Sequence, residues 1–452
     1  MSQLDGVNLN EKQKGPKNIR MVIIAIIAVV IFIVLLIISG ARIKNTLPEE
    51  HVDEIVTDEP VIGDGLFTSR STWQNGNWCL VDKESVKTIT IEEDYSGQAN
   101  RAWGLDGVIM YYDEEKQAVH VAVGNGIHML GNMSKAFADF PNATSITGLE
   151  LLETSNVTDM SYLFANSGFE NIDISMWNTK NVSTFAHMFS NTTNIKEVNL
   201  SNLDMSNAVD LSYMFAESSG MQKIYFENVD TSNAKLMSYF LYNTGSGSMV
   251  GECFFYGDLE TSQIVDFEGF FKRTYLTNMQ DVVNSLDTQN AENMARMFED
   301  AVRVKSLDLT HFNVSKVKNM DFMFRETNRL AEVKMDGWNA TNLESAEEMF
   351  KGCYNYRHFT GLGSTPKLTN TTKMFADCFE LITIDLTCLD GVTLESAYRM
   401  FYGCEHTTDI FSNGFTVATP TEEMFEYCLA LPGFDEEQTS SDMLQKGYLT
   451  AK

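Results

Sequence analysis

From residue 131 onward the apolar positions of the chain recur in a fixed order. Aligned on one bulky apolar anchor, the same slot returns at Phe137, Phe164, Phe189, Phe215, Leu241, Phe271, Phe298, Phe324, Phe350, Phe375, Phe401 and Phe425. That is 288 residues over 11 intervals, a mean near 26, with one longer step of 30 between Leu241 and Phe271. A constant period of this length implies a solenoid, in which each unit buries its apolar face against its neighbours.

Two patterns alternate inside each unit. Ahead of the anchor, apolar residues sit at −7, −4 and −1, as in Val317, Met320, Met323 and Phe324, or Ala291, Met294, Met297 and Phe298. That spacing lies on one face of a helix and predicts a short one. Asn at −8 (Asn156, Asn207, Asn233, Asn342), preceded by Ser or Thr, suits its N-terminus. After the anchor, apolar residues fall at +6, +9, +11 and +14: Ile195, Val198, Leu200 and Leu203, or Leu330, Val333, Met335 and Trp338. The +9 and +11 pair has period two and predicts a short strand. The expected fold is an α/β solenoid of the leucine-rich-repeat type, with about twelve strand-turn-helix units and a parallel sheet.

The run Val198-Asn199-Leu200-Ser201-Asn202-Leu203-Asp204-Met205-Ser206-Asn207-Ala208, leading to Met214-Phe215, resembles the repeat of BspA-like leucine-rich-repeat surface proteins. So does Leu151-Leu152-Glu153-Thr154-Ser155-Asn156-Val157-Thr158-Asp159-Met160, leading to Leu163-Phe164. The resemblance covers residues 131–435 and implies a surface-exposed solenoid used in adhesion or partner binding, usually in bacteria. It weakens at the Gly/Ser insertion between Gly245 and Gly251 and in the last three units, which lose Thr-Ser-Asn.

The segments before the array read differently. Met21 to Ile38 is an unbroken apolar run of 18 residues, about 27 Å as a helix, which predicts a membrane span over 21–40. Lys12, Lys14, Lys17 and Arg20 precede it, so residues 1–20 are expected in the cytoplasm and the repeats outside. A cleavable signal peptide is the rival reading, because Ser39-Gly40-Ala41 offers small residues for cleavage. Residues 41–65 form an acidic linker. Residues 66–130 lack the period; Val108, Met110 and Tyr112 alternate against Val119, Val121 and Val123, a hairpin expected to cap the array, with a small independent binding domain as the alternative. Residues 436–452 are expected to close the other end.

Charge excludes one class of partner. With 33 basic and 62 acidic side chains, a net charge of −29, the chain is not expected to bind nucleic acid. The Met and Phe excess belongs to the repeat: eight of the 24 Met occupy the −1 slot and 11 of the 29 Phe the anchor. Cys353, Cys378, Cys404 and Cys428 share the +3 slot with Ser167, Thr192, Ser218, Thr244 and Thr327, which reads as small-residue packing; stacked disulfides or a metal are the alternatives. The seven His are scattered, and neither a catalytic nor a metal constellation is legible. No cofactor is implied. The best ligand face is the outward +10 column, Asn199, Tyr225, Asp308, Lys334, Thr360 and Asp385, with His311 and Arg357 beside it. The sequence thus predicts a non-catalytic, membrane-anchored surface protein for adhesion or recognition of an unknown protein or glycan. A structural envelope component without a specific ligand is the alternative.

Overall fold

The computed structural model describes residues 85–92, 101–105, 108–113, 116–123, 127–128, 131–246, 252–445 and 448–451. Most of the expected linker and cap, the cytoplasmic tail and the Met21–Gly40 span therefore lie outside the described residues. Among the described residues no helix is long and apolar enough to cross a membrane, which corrects the single-pass membrane location.

The strand Thr88–Glu92 pairs in parallel with Ala118–Val123 on one side and Ser145–Thr147 on the other. Val108–Asp113 pairs antiparallel with Ala118–Val123, Met110 opposite Val121 and Tyr112 opposite Val119, which is the predicted hairpin. Arg101–Leu105 completes this five-stranded sheet. Ser145 then bridges in parallel to Asn171, so the sheet runs directly into the repeats.

The repeats are a parallel β-solenoid of about 11 turns, and the predicted strand-turn-helix unit is wrong in its helical half. The strand half is right: Glu197–Asn199, Lys223–Tyr225 and Phe254–Tyr256 align in parallel register, as do Ser306–Asp308 with Glu332–Lys334. Residues at +9 and +11 point into the core, Leu307 and Leu309 among them.

Where the helix was predicted, backbone N–H groups donate to the next coil instead of to residue i−4. Met320, Phe322, Phe324 and Glu326 donate to the carbonyls of Ser345, Glu347, Met349 and Lys351. Between them, Met323 and Arg325 close three-residue turns onto Met320 and Phe322. The residues at −2 and +2 take positive φ, such as Phe322 at 60° and Glu326 at 57°. That conformation costs about 1 kcal/mol per non-glycine residue, and the inter-coil ladder offsets it by satisfying the backbone donors. Turns of this kind place −7, −4, −1 and 0 inward just as a helix would, so the apolar period could not separate the two.

The supposed helix-capping Asn is likewise an inter-coil residue. Asn181, Asn207, Asn233, Asn290 and Asn342 each donate their side-chain amide to a backbone carbonyl of the preceding coil, at 2.6–2.8 Å. Two residues earlier, the buried hydroxyls of Thr154, Thr179, Thr231, Thr261 and Thr288 donate to the following coil.

The anchors stack as a column of rings through one continuous core. Centroids of Phe298 and Phe324 lie 5.4 Å apart, and those of Phe324 and Phe350 4.9 Å. Where Leu241 replaces Phe, the rings of Phe240 and Phe270 fill the column at 5.4 Å. At the far end Thr450 bridges Phe411, and Tyr448 packs its ring edge-on against Phe425 at 5.1 Å.

Candidate functional site

One unit departs from the rest, and it shapes the surface. The α-helix Met279–Ser285 occupies the place of a strand. Polar side chains beside and within it repair the interrupted ladder. Asn278 exchanges hydrogen bonds with both the N–H and the C=O of Phe255, and Gln280 does the same with Asp308. The helix thereby splits the strand column between Phe254–Tyr256 and Ser306–Asp308, and a second break after Glu332–Lys334 leaves the expected continuous +10 face as three separate sheets.

The predicted face residues are distributed accordingly. Asn199 and Tyr225 are in register in the first sheet, joined by Tyr256, whose ring stacks on Tyr225 at 5.1 Å. Asp308 and Lys334 pair in the second, 3.4 Å apart. Hydrogen bonds from Thr310, and then Lys334, hold the Asp308 carboxyl below the usual carboxylate range. Asp385 stands in the third sheet, opposite Phe411, and Thr360 follows the strand His358–Phe359. His311 pins the helix, its Nε2 lying 3.0 Å from the Val283 carbonyl. Arg357 is exposed, 3.9 Å from Glu380.

A cleft of about 780 Å³ opens beside the helix, lined by Glu227, Phe255, Tyr256, Asp258, Glu260 and Asp281 among others. Gly257 lies in its wall with φ 132°, and a Cβ there would meet the Phe226 carbonyl oxygen at 2.5 Å. Tyr256 lines the cleft, and its ring stacks on Tyr225 at 5.1 Å with Phe254 at 6.0 Å. The repeat period does not anticipate this cleft, because the helix beside it falls in the ordinary 27-residue step from Phe271 to Phe298.

The positive-φ column at −2 carries two further surfaces. Tyr162, His187, Tyr213 and Tyr239 stack face to face at 4.2, 4.5 and 4.9 Å. Burial pushes the His187 imidazole pKa down, partly opposed by Asp210. The ladder stops at Gly269, where a Cβ would sit 2.4 Å from the Tyr239 ring. Beyond it the surface turns ionic. Glu299 and Glu348, buried to 3% and 6% exposure, are held by Lys272, Arg296, Arg325, Lys351 and Lys373.

The +3 slot is more than a packing position. Cys353, Cys378, Cys404 and Cys428 are free, and each thiol donates to the anchor carbonyl of the preceding coil at 3.0–3.2 Å, as Thr327 does with its hydroxyl at 2.7 Å. Burial pushes these thiols up, making them poor nucleophiles.

A family profile described as "Mycoplasma protein of unknown function, DUF285" matches residues 131–250 and 255–362, half of the chain. The chain belongs to this family. The DUF285 match ends at residue 362, while the coil register continues through Phe375, Phe401 and Phe425. Among solved structures, the DUF285 chain is similar to a leucine rich cell surface protein from Faecalibacterium prausnitzii, with 10% identity and a TM-score of 0.31 over 70% of this chain and 96% of that one. No curated protein matches.

Proposed function

We propose that this DUF285 chain is a non-catalytic surface repeat protein that recognises a protein or glycan partner, as its BspA-like repeat implies. The observation that carries the reading is the stacked pair of Tyr225 and Tyr256, of which Tyr256 lines the 780 Å³ cleft. Coils in register present outward side chains at fixed intervals, and aromatic rings beside polar groups suit both sugar faces and protein side chains. The buried, raised thiols favour a binding role over nucleophilic chemistry.

The test is capture of partners from a glycan array and from protein extracts by the full chain, compared with Y225A/Y256A. Loss of binding in the double variant with an unchanged melting curve supports the reading. Turnover of any ligand that depends on Asp258 or Glu260 would overturn it.

A further inference from the structure

We propose that a groove formed by Lys305, Arg329 and Arg357 binds an anionic polysaccharide through its carboxylate or sulfate groups. This deepens the recognition reading above and rests on it.

Three consecutive coils build the groove. Arg303, Arg329 and Asn355 follow the anchors Phe298, Phe324 and Phe350 by five residues, and Lys305, Ala331 and Arg357 follow them by seven. The backbone sets the register, with the Ala331 N–H donating to the Lys305 carbonyl at 2.8 Å. Coils repeat about 4.8 Å apart, so Lys305 and Arg357 stand roughly 10 Å apart along the stack. The small Ala331 between them leaves a hollow of about 370 Å³, walled by Arg329 and Asn355.

Its charge is anomalous for this chain. Acidic side chains outnumber basic ones by 62 to 33, and many cations elsewhere face a carboxylate in a neighbouring coil: Lys318 with Glu292 at 2.7 Å, Lys334 with Asp308 at 3.4 Å, Lys373 with Glu348 at 3.2 Å. Among the described residues, Lys305 and Arg329 have no carboxylate in ion-pairing reach. Arg357 has only the exposed Glu380 at 3.9 Å. Arg303, in the same column as Arg329, has a buried Nε without a hydrogen-bond partner. The fold does not require cations here, since other coils carry Asn194, Gly220 and Gln222 at the equivalent slots. A ligand that supplies the missing anions fits the arrangement, with guanidinium groups suited to planar carboxylate or sulfate.

The lining selects among polyanions. It carries no aromatic or large aliphatic side chain of the kind that anchors a protein partner, its apolar surface coming from Ala331 and the stems of the cations. A nucleic acid, with one charge per roughly 1.7 Å, would extend past these three cations on a chain whose net charge is −29. A hydrated polymer with charges spaced by a sugar or two meets three cations and little else.

The test uses the full chain with immobilised heparin as the sulfated probe, polygalacturonate as the carboxylated probe, polyglutamate as the acidic peptide and dextran as the neutral control. One of the two anionic polysaccharides should bind, and the pair distinguishes sulfate from carboxylate recognition. The variant K305Q/R329Q/R357Q should weaken that binding at least ~10-fold, as should raising salt from about 50 to about 300 mM, while melting stays unchanged. Equal binding by the variant, or preference for polyglutamate, overturns the inference. If neither polysaccharide binds while partners held through Tyr225 and Tyr256 persist, this inference fails and the recognition reading stands. A chain that captures nothing overturns both.

Discussion

The Nη2 of Arg325 lies 2.6 Å from Oε1 of Glu299 in the preceding coil. The same guanidinium reaches Glu348 in the following coil at 3.3 Å, and its Cζ sits 4.9 Å from the ring of Phe322, which Arg296 covers at 4.3 Å. One cation thus ties three coils together beside their least exposed carboxylates. Nothing in the apolar period anticipates this, because each residue sits in a slot that other coils fill differently.

Replacing Glu299 by Gln should destabilise the solenoid by about 3 kcal/mol, because Lys272, Arg296 and Arg325 lose their shared, nearly buried counter-charge. Chemical denaturation at neutral pH measures this. A loss no greater than that of an exposed pair such as Lys318–Glu292 would show that the network contributes little.

The network also fixes a direction with pH. Burial alone would raise the Glu299 carboxyl, but hydrogen bonds from Lys272 and Arg296 outweigh it and hold the pKa below its ordinary 4.5. At Glu348 burial is outweighed by the charge of Lys351 and by hydrogen bonds from Lys373, Lys351 and Arg325. A depressed folded-state pKa contributes stability above the unfolded value, lost as pH falls through the folded one. The difference in melting temperature between the parent and E299Q/E348Q should therefore be largest at neutral pH and shrink below about pH 4. A constant difference would contradict the assignment.

Cys378 separates packing from hydrogen bonding. Its Sγ donates to the Phe350 carbonyl at 3.0 Å. Cys378→Ser keeps a donor and should cost little, whereas Cys378→Ala removes the inter-coil bond, leaving the Phe350 carbonyl only the Cys353 N–H, and should cost about 1 kcal/mol. Reductant should leave the parent's melting curve unchanged, because the described cysteines are free. A drop on reduction would point to disulfides.

Phe324→Ala should cost about 3–5 kcal/mol, since its fully buried ring stacks on Phe298 and Phe350 and would leave a cavity in the column. An unchanged melting temperature would remove Phe324 from the core.

The parts of this structure legible beforehand are those that repetition encodes. A slot that is Phe eleven times and Leu once must be inside, whatever backbone carries it. The alternation of Val333 and Met335 marks a strand, because only an extended chain places both inward. The candidate face was read one residue at a time, as Asn199, Tyr225 and Arg357, and the structure places the first two in one sheet and Arg357 outside a strand. One of its two breaks depends on the helix at Met279–Ser285 and on amide side chains that replace a strand.

What the sequence determined by itself, then, is the period, the inward positions, the parallel strands and the acidity. Tertiary structure alone decided whether the segment before each anchor winds into a helix or turns along the stack. Both paths bury −7, −4, −1 and 0, and they differ only in where the backbone N–H groups find acceptors. For Met320, Phe322 and Phe324 those acceptors are Ser345, Glu347 and Met349, one coil away. A single unit cannot supply them, so the choice belongs to the assembled stack, as do the cleft, the cationic groove and the buried carboxylates that depend on it.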